Sequence, residues 1–142
     1  MTGRSAPRLH LLLATARQSA AARVAREARG TGLTESAAGV LFHLARHDRA
    51  TAGELASALR AGPAGMSGLL DRLARRGLVT RRKNPDDGRS VIVELTADGA
   101  AALPQMRAVL ADLNSELTAG FTDEEIAVVA RWLRHVSGLD RD

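Results

Sequence analysis

The sequence predicts a mainly α-helical chain with one small β-hairpin set near its middle. Three observations carry this. Apolar residues recur at steps of three and four along most of the 142 positions, the spacing of one helix face. Two short runs break that rhythm, LVTRRK at 78–83 and RSVIVEL at 89–95, and in the second Val91, Val93 and Leu95 share one face as strand residues do. Between them stands Asn-Pro-Asp-Asp-Gly, residues 84–88, whose composition marks a tight reversal of the chain.

The elements follow in order. Residues 7–29 read as a helix, with Leu9, Leu12, Leu13, Ala16, Ala20 and Val24 at helical spacing. Gly30-Thr31-Gly32 ends it, and Thr34 caps a second helix whose stripe is Ala37, Val40, Leu41 and Leu44 and which stops near His47-Asp48. Thr51 and Glu54 have the spacing of a capping box and open a short third helix with Leu55, Ala56 and Leu59 inward. The turn Arg60-Ala61-Gly62 leads to Pro63, placed where proline is tolerated, in the first turn of a fourth helix. That helix turns Met66, Leu69, Leu70 and Leu73 inward and ends at Gly77. After the hairpin, Thr96 caps a helix running to about residue 119. Pro104 lies eight residues inside it and is expected to kink or break it, because proline removes a backbone donor. Thr122 and Glu125 form a second capping box, flanked by Phe121 and Ile126 as a hydrophobic staple, and the last helix carries Ile126, Val129, Leu133 and Val136.

Composition bounds the function. A chain of this length makes one domain, or one domain with an oligomerisation appendage, and buries roughly 70% of its unfolded surface. No apolar run reaches the roughly 18–20 residues of a membrane span. LHLLLATA, residues 9–16, is short and continues into an arginine-containing helical pattern, so it does not read as a secretory signal. There is no cysteine, which excludes disulfides, thiolate metal sites and cysteine redox sensing and points to the cytoplasm. Nor is there a phosphate-binding glycine loop or a nucleophile paired with a base, so an enzyme is not expected. His43 and His47 have the i, i+4 spacing of a metal pair but no third ligand, and read as ordinary histidines with no metal or cofactor implied.

Charge is more telling. The formal excess is +4, and of the 20 basic residues only Lys83 is not arginine. From Asp71 to Arg89 there are seven basic residues (Arg72, Arg75, Arg76, Arg81, Arg82, Lys83 and Arg89) and three acids (Asp71, Asp86 and Asp87), a surplus of four that equals the excess of the entire chain. A basic charge focused on one segment is the electrostatic footprint of a polyanion partner. The order of that segment is helix, turn, helix, hairpin, which is a winged helix-turn-helix.

The run MSGLLDRLARRGLVTRRKNPDDGRSVIVELTADG, 66–99, resembles the MarR family of bacterial transcription regulators. The family pattern appears in three pieces: the DRLxxxGLV segment from Asp71 to Val79, the D-x-R element Asp87-Gly88-Arg89, and the closing LTxxG from Leu95 to Gly99. The resemblance implies an obligate homodimer in which residues 1–32 and 98–142 supply dimerisation helices and residues 33–97 a winged DNA-binding domain. It also implies a fourth helix in the major groove, a wing in the minor groove, a pseudo-palindromic operator, and most often a repressor relieved by a small ligand.

Helical geometry assigns roles within that frame. The face opposite Met66, Leu70 and Leu73 carries Ala64, Gly68, Asp71 and Arg75, flanked by Ser67 and Arg72. Ser67 and Arg72 are expected to make the groove contacts, with Pro63 and Ala64 touching thymine methyls or sugars and Gly68 allowing close approach. Arg75, Arg81 and Arg82 are expected on phosphates, and Arg89 in the minor groove with its guanidinium oriented by Asp87. An effector pocket is expected around Leu13, Arg17 and Phe42. The short side chains on the reading face leave an alternative, a winged-helix module for protein contact or non-specific DNA binding.

Overall fold

The computed structural model describes residues 7–139. The ends of the two outer segments, 1–6 and 140–142, lie outside the described residues. Six helices and a three-stranded sheet follow in the order α1 (Leu9–Glu27), α2 (Glu35–His47), β1 (Arg49–Thr51), α3 (Ala52–Ala58), α4 (Pro63–Arg75), β2 (Val79–Lys83), β3 (Val91–Leu95), α5 (Ala97–Thr118) and α6 (Asp123–Val136). A single 3-10 turn, Ala28–Gly30, closes α1.

The helix starts are local chemistry. Thr34 accepts from the Ala37 N–H at 3.1 Å. Thr51 and Glu54 exchange both bonds of a capping box, at 3.1 and 2.8 Å, as do Thr122 and Glu125, at 3.2 and 2.9 Å. Each box satisfies two donors that a helix end leaves open. The staple is weaker than its spacing suggests, since Phe121 remains 62% exposed. α4 stops where Gly77 takes φ 71°, a left-handed conformation that glycine adopts without strain.

Two expectations are corrected. Pro104 does not end the helix, for α5 runs through it from Ala97 to Thr118. Proline removes one backbone bond, while Leu103 and Met106 on either side of it are buried and hold the helix to the core. The hairpin is also not alone. Arg49–Thr51 forms a third strand, giving the order β1-β3-β2 with both pairings antiparallel. β1 is three residues long and exists only through its pairing to β3, some forty positions away, so periodicity could not reveal it.

One core joins these elements. Val40, Leu41 and Leu44 of α2, Leu55 of α3, Met66, Leu70 and Leu73 of α4, Val93 of β3 and Met106 of α5 are almost without solvent contact. Each such large side chain contributes about 1.5–3 kcal/mol relative to exposure, so α4 and the wing stand on a firm base. The two outer helices differ. In α1 only Val24 is buried, while Leu9, Leu11 and Leu12 lie open. In α6 no residue is buried, and Val128, Val129 and Leu133 are exposed. Among the described residues no helix is long and apolar enough to cross a membrane.

Candidate nucleic-acid interface

The interface is built on α4. Its buried side is Met66, Leu69, Leu70 and Leu73. Pro63, Ala64, Ser67, Arg72 and Arg75 are exposed and Gly68 is half-buried, so the geometry unites the residues expected to meet the groove. A side-chain carbon built on Gly68 would lie 3.6 Å from Arg72 Nη1, an ordinary contact. Gly68 is therefore not sterically required there, and Arg72 lies along the helix surface that it leaves bare.

The wing tip is shaped by polar bonds. Asn84 accepts from the Asp86 N–H at 3.0 Å and donates from Nδ2 to Ser90 Oγ at 2.9 Å. Asp87 Oδ1 accepts from the Arg89 backbone N–H at 3.0 Å. That carboxylate thus folds the turn and does not orient the Arg89 guanidinium, as its position two residues away had suggested. An Asp side chain reaches its own backbone two residues on more readily than a long flexible arginine head. Among the described residues the Arg89 guanidinium makes no hydrogen bond or ion pair, and it stands exposed at the tip.

The other cations divide. Arg81 Nη1 is 2.5 Å from Asp71 Oδ1, Arg82 Nη2 is 3.2 Å from Glu94 Oε1, and Arg75 Nε reaches the Asp71 carbonyl at 3.4 Å. Arg76 donates to the Gly32 carbonyl at 2.5 Å and ties the end of α4 to the junction of α1 and α2. Arg60, a turn residue by sequence, makes a second distant tie. It adopts φ 51° in the turn before α4 and donates to the Ser137 carbonyl at 2.6 Å, beyond the end of α6. Both ties join residues more than forty positions apart, and no local pattern announces them.

A cleft of about 580 Å³ lies between α3, α4 and the wing, with Pro63, Ser67 and Arg81 on its wall. Leu13, Arg17 and Phe42 do not border it. Leu13 and Phe42 are half-buried and Arg17 is exposed, while the Arg107 guanidinium sits 5.6 Å from the Phe42 ring centroid. His43 and His47 stack with ring centroids 4.4 Å apart. Burial, then the neighbouring His47 and Arg46, lowers the His43 pKa below 6.5. Among the described residues no group of three or more metal-ligating side chains is placed to hold an ion.

A family model described as the MarR family matches residues 31–90, the span from the α1–α2 junction to the end of the wing turn. A crystal structure of a mutant MarR from E. coli, complexed with operator DNA, superposes with a TM-score of 0.83 at 30% identity, over 90% of this chain and 92% of that one. The chain belongs to the MarR family. BpsR of Bordetella bronchiseptica, in a structure concerned with regulation of its DNA binding by 6-hydroxynicotinic acid, superposes at 0.84 with 25% identity, over 92% and 99% of the two chains. In sequence, the multiple antibiotic resistance protein MarR of Escherichia coli is 38% identical over 84 residues, 58% of each chain. The HTH-type transcriptional repressor YetL of Bacillus subtilis is 37% identical over 98 residues, 68% of this chain and 59% of its own. The chain thus spans under two thirds of the length of these curated relatives.

Proposed function

We propose that this MarR-family chain is a dimeric, sequence-specific DNA-binding transcription regulator of the cytoplasm, and a repressor relieved by a small ligand. The observation that carries this reading is the superposition, on MarR complexed with operator DNA, of a fold that leaves the outer face of α4 and the Arg89 guanidinium exposed. Ser67 and Arg72 read base edges, Pro63, Ala64 and Gly68 let the backbone approach, Arg75 and Arg82 meet phosphates, and Arg89 enters the minor groove. Asp87 acts by shaping the turn that presents Arg89. The winged unit, 33–97, reads DNA, and the open apolar faces of α1 and α6 pair with a second copy. No step of this function is catalytic.

Leu13 and Phe42, which are half-buried, and Arg17, which is exposed, form the proposed effector contact. An aromatic acid of the kind named for BpsR would suit an arginine beside aliphatic and aromatic walls.

In vitro selection from random duplexes, followed by footprinting, tests the reading. A palindrome with half-sites about ten base pairs apart is expected, one helical turn, as two-fold geometry requires. Recovery of unrelated sequences with no footprint would leave the second reading, non-specific binding. The short side chains of Ala64, Ser67 and Gly68 favour that reading, and a salt titration on selected and scrambled duplexes separates the two, because phosphate-only binding has no specificity ratio.

A further inference from the structure

Side chains alternate between the two faces of a strand, and the register of the wing says which go where. Val79, Arg81 and Lys83 stand opposite Leu95, Val93 and Val91, and Val79 and Val93 are buried. Arg81 therefore springs from the inner face of the wing, and Arg82 and Thr80 from the outer face. On the inner side Arg81 meets Asp71 of α4, with Nη1 2.5 Å from Oδ1. Asp71 lies one turn beyond Ser67 and beside Arg72, on the open face of the helix. The pair spans from that face to the wing, and Arg81 and Ser67 border the same cleft.

The side chains are 35% and 47% exposed, and exposed pairs contribute only about 0–1 kcal/mol to stability. Holding the fold together is therefore a small part of what the pair does. Its larger effect is on geometry, since recognition groups work only when neighbouring bonds lock their positions.

We infer that Asp71 and Arg81 form a strut that sets the angle of the wing on α4, so that Arg81 is a positioning residue for DNA reading and does not hold a phosphate. This rests on the proposed DNA-binding function. It replaces the phosphate contact expected of Arg81 from the sequence.

The test uses the full chain, a duplex recovered by selection and a scrambled duplex. Affinities are measured across a salt series for wild type, Arg81→Gln, Arg81→Lys, Asp71→Asn and the Arg81→Gln/Asp71→Asn double variant. Arg81→Gln is expected to lose about tenfold on the selected duplex, with little further loss in the Asp71→Asn background, as coupled partners behave. Its salt slope stays at the wild-type value, Arg81→Lys recovers most of the affinity, and hydroxyl-radical protection fades under the wing while persisting under α4. Circular dichroism and sedimentation confirm that each variant is folded and assembled like wild type. A slope lower by about 0.9, the value of one phosphate contact, with an undiminished loss in the Asp71→Asn background, would overturn the strut and leave the DNA-binding reading intact. Unchanged affinity for Arg81→Gln would overturn it equally. A wild type that selects no sequence removes the functional reading and the strut together.

Discussion

The carbonyl oxygen of Leu78 occupies the space that a side chain on Gly99 would need. Leu78 begins the wing, and Gly99 lies in the first turn of α5. Thr96 completes the junction. Its hydroxyl accepts from the Gly99 N–H at 3.0 Å and donates to the Gly77 carbonyl at 2.6 Å, while its own N–H reaches Leu78 O at 3.2 Å. The closing Leu-Thr-x-x-Gly element is thus the weld between wing and α5. Gly99→Ala drives a carbon into backbone, which cannot rotate away as a side chain can. A loss of roughly 3 kcal/mol is expected, read as a lower urea midpoint, with Ala97→Ser on the exposed start of the same helix as the unaffected control.

Arg89 and Ser67 separate affinity from specificity. Arg89→Ala is expected to lower affinity on selected and scrambled duplexes alike and to reduce the salt slope by about 0.9. Ser67→Ala is expected to cost about 1 kcal/mol on the selected duplex only. Fluorescence anisotropy on both duplexes checks this, and equal losses for both variants on both duplexes would refute the division.

The open face of α6 predicts assembly. Val129 and Leu133 are 49% and 39% exposed and lie one turn apart. A Val129→Asp/Leu133→Asp variant is expected to sediment as a monomer. It should keep the helical signal of the winged unit, because no α6 residue is buried within the chain. Its DNA affinity should fall by about 100-fold, as expected when two linked half-site contacts become one.

Acid is expected to loosen the clasp between α1 and α5. Arg23 donates to Glu116 at 2.6 and 3.3 Å, and this hydrogen bond, then the charge of Arg23, holds the Glu116 carboxyl below its ordinary 4.5. Between the depressed value and 4.5 the unfolded chain binds more protons than the folded one. The contribution is therefore complete above the ordinary value and is lost as pH falls through the folded one. Glu116→Gln should flatten this part of the dependence of the urea midpoint on pH, while leaving the remaining carboxylates to titrate as before.

Thr34, Thr51, Thr96 and Thr122 all cap through a bond to the residue three positions on, so these helix starts were readable from spacing. The buried stripe of α4 was readable for the same reason, since its period is that of the helix itself. Arg81 and Arg82 were not told apart, although adjacent strand positions must face opposite ways. Their separate fates became plain only when the register placed Arg81 opposite Val93. Pro104 shows the reverse error, in which a local penalty was given more weight than the core contacts of Leu103 and Met106.

By itself the sequence determined the helices, the hairpin, the basic segment and the membership of a family whose motifs it carries from Asp71 to Gly99. Those features depend on residues a few positions apart, whose spacing suffices to specify them. Only the tertiary structure decided that β1 joins the sheet, that Arg76 and Arg60 bind distant carbonyls, that Asp87 folds the turn, and that Asp71 holds Arg81 while Arg89 stays free. Each of these depends on which partner a polar group finds in space, and long arginine side chains have many partners within reach until the fold selects among them.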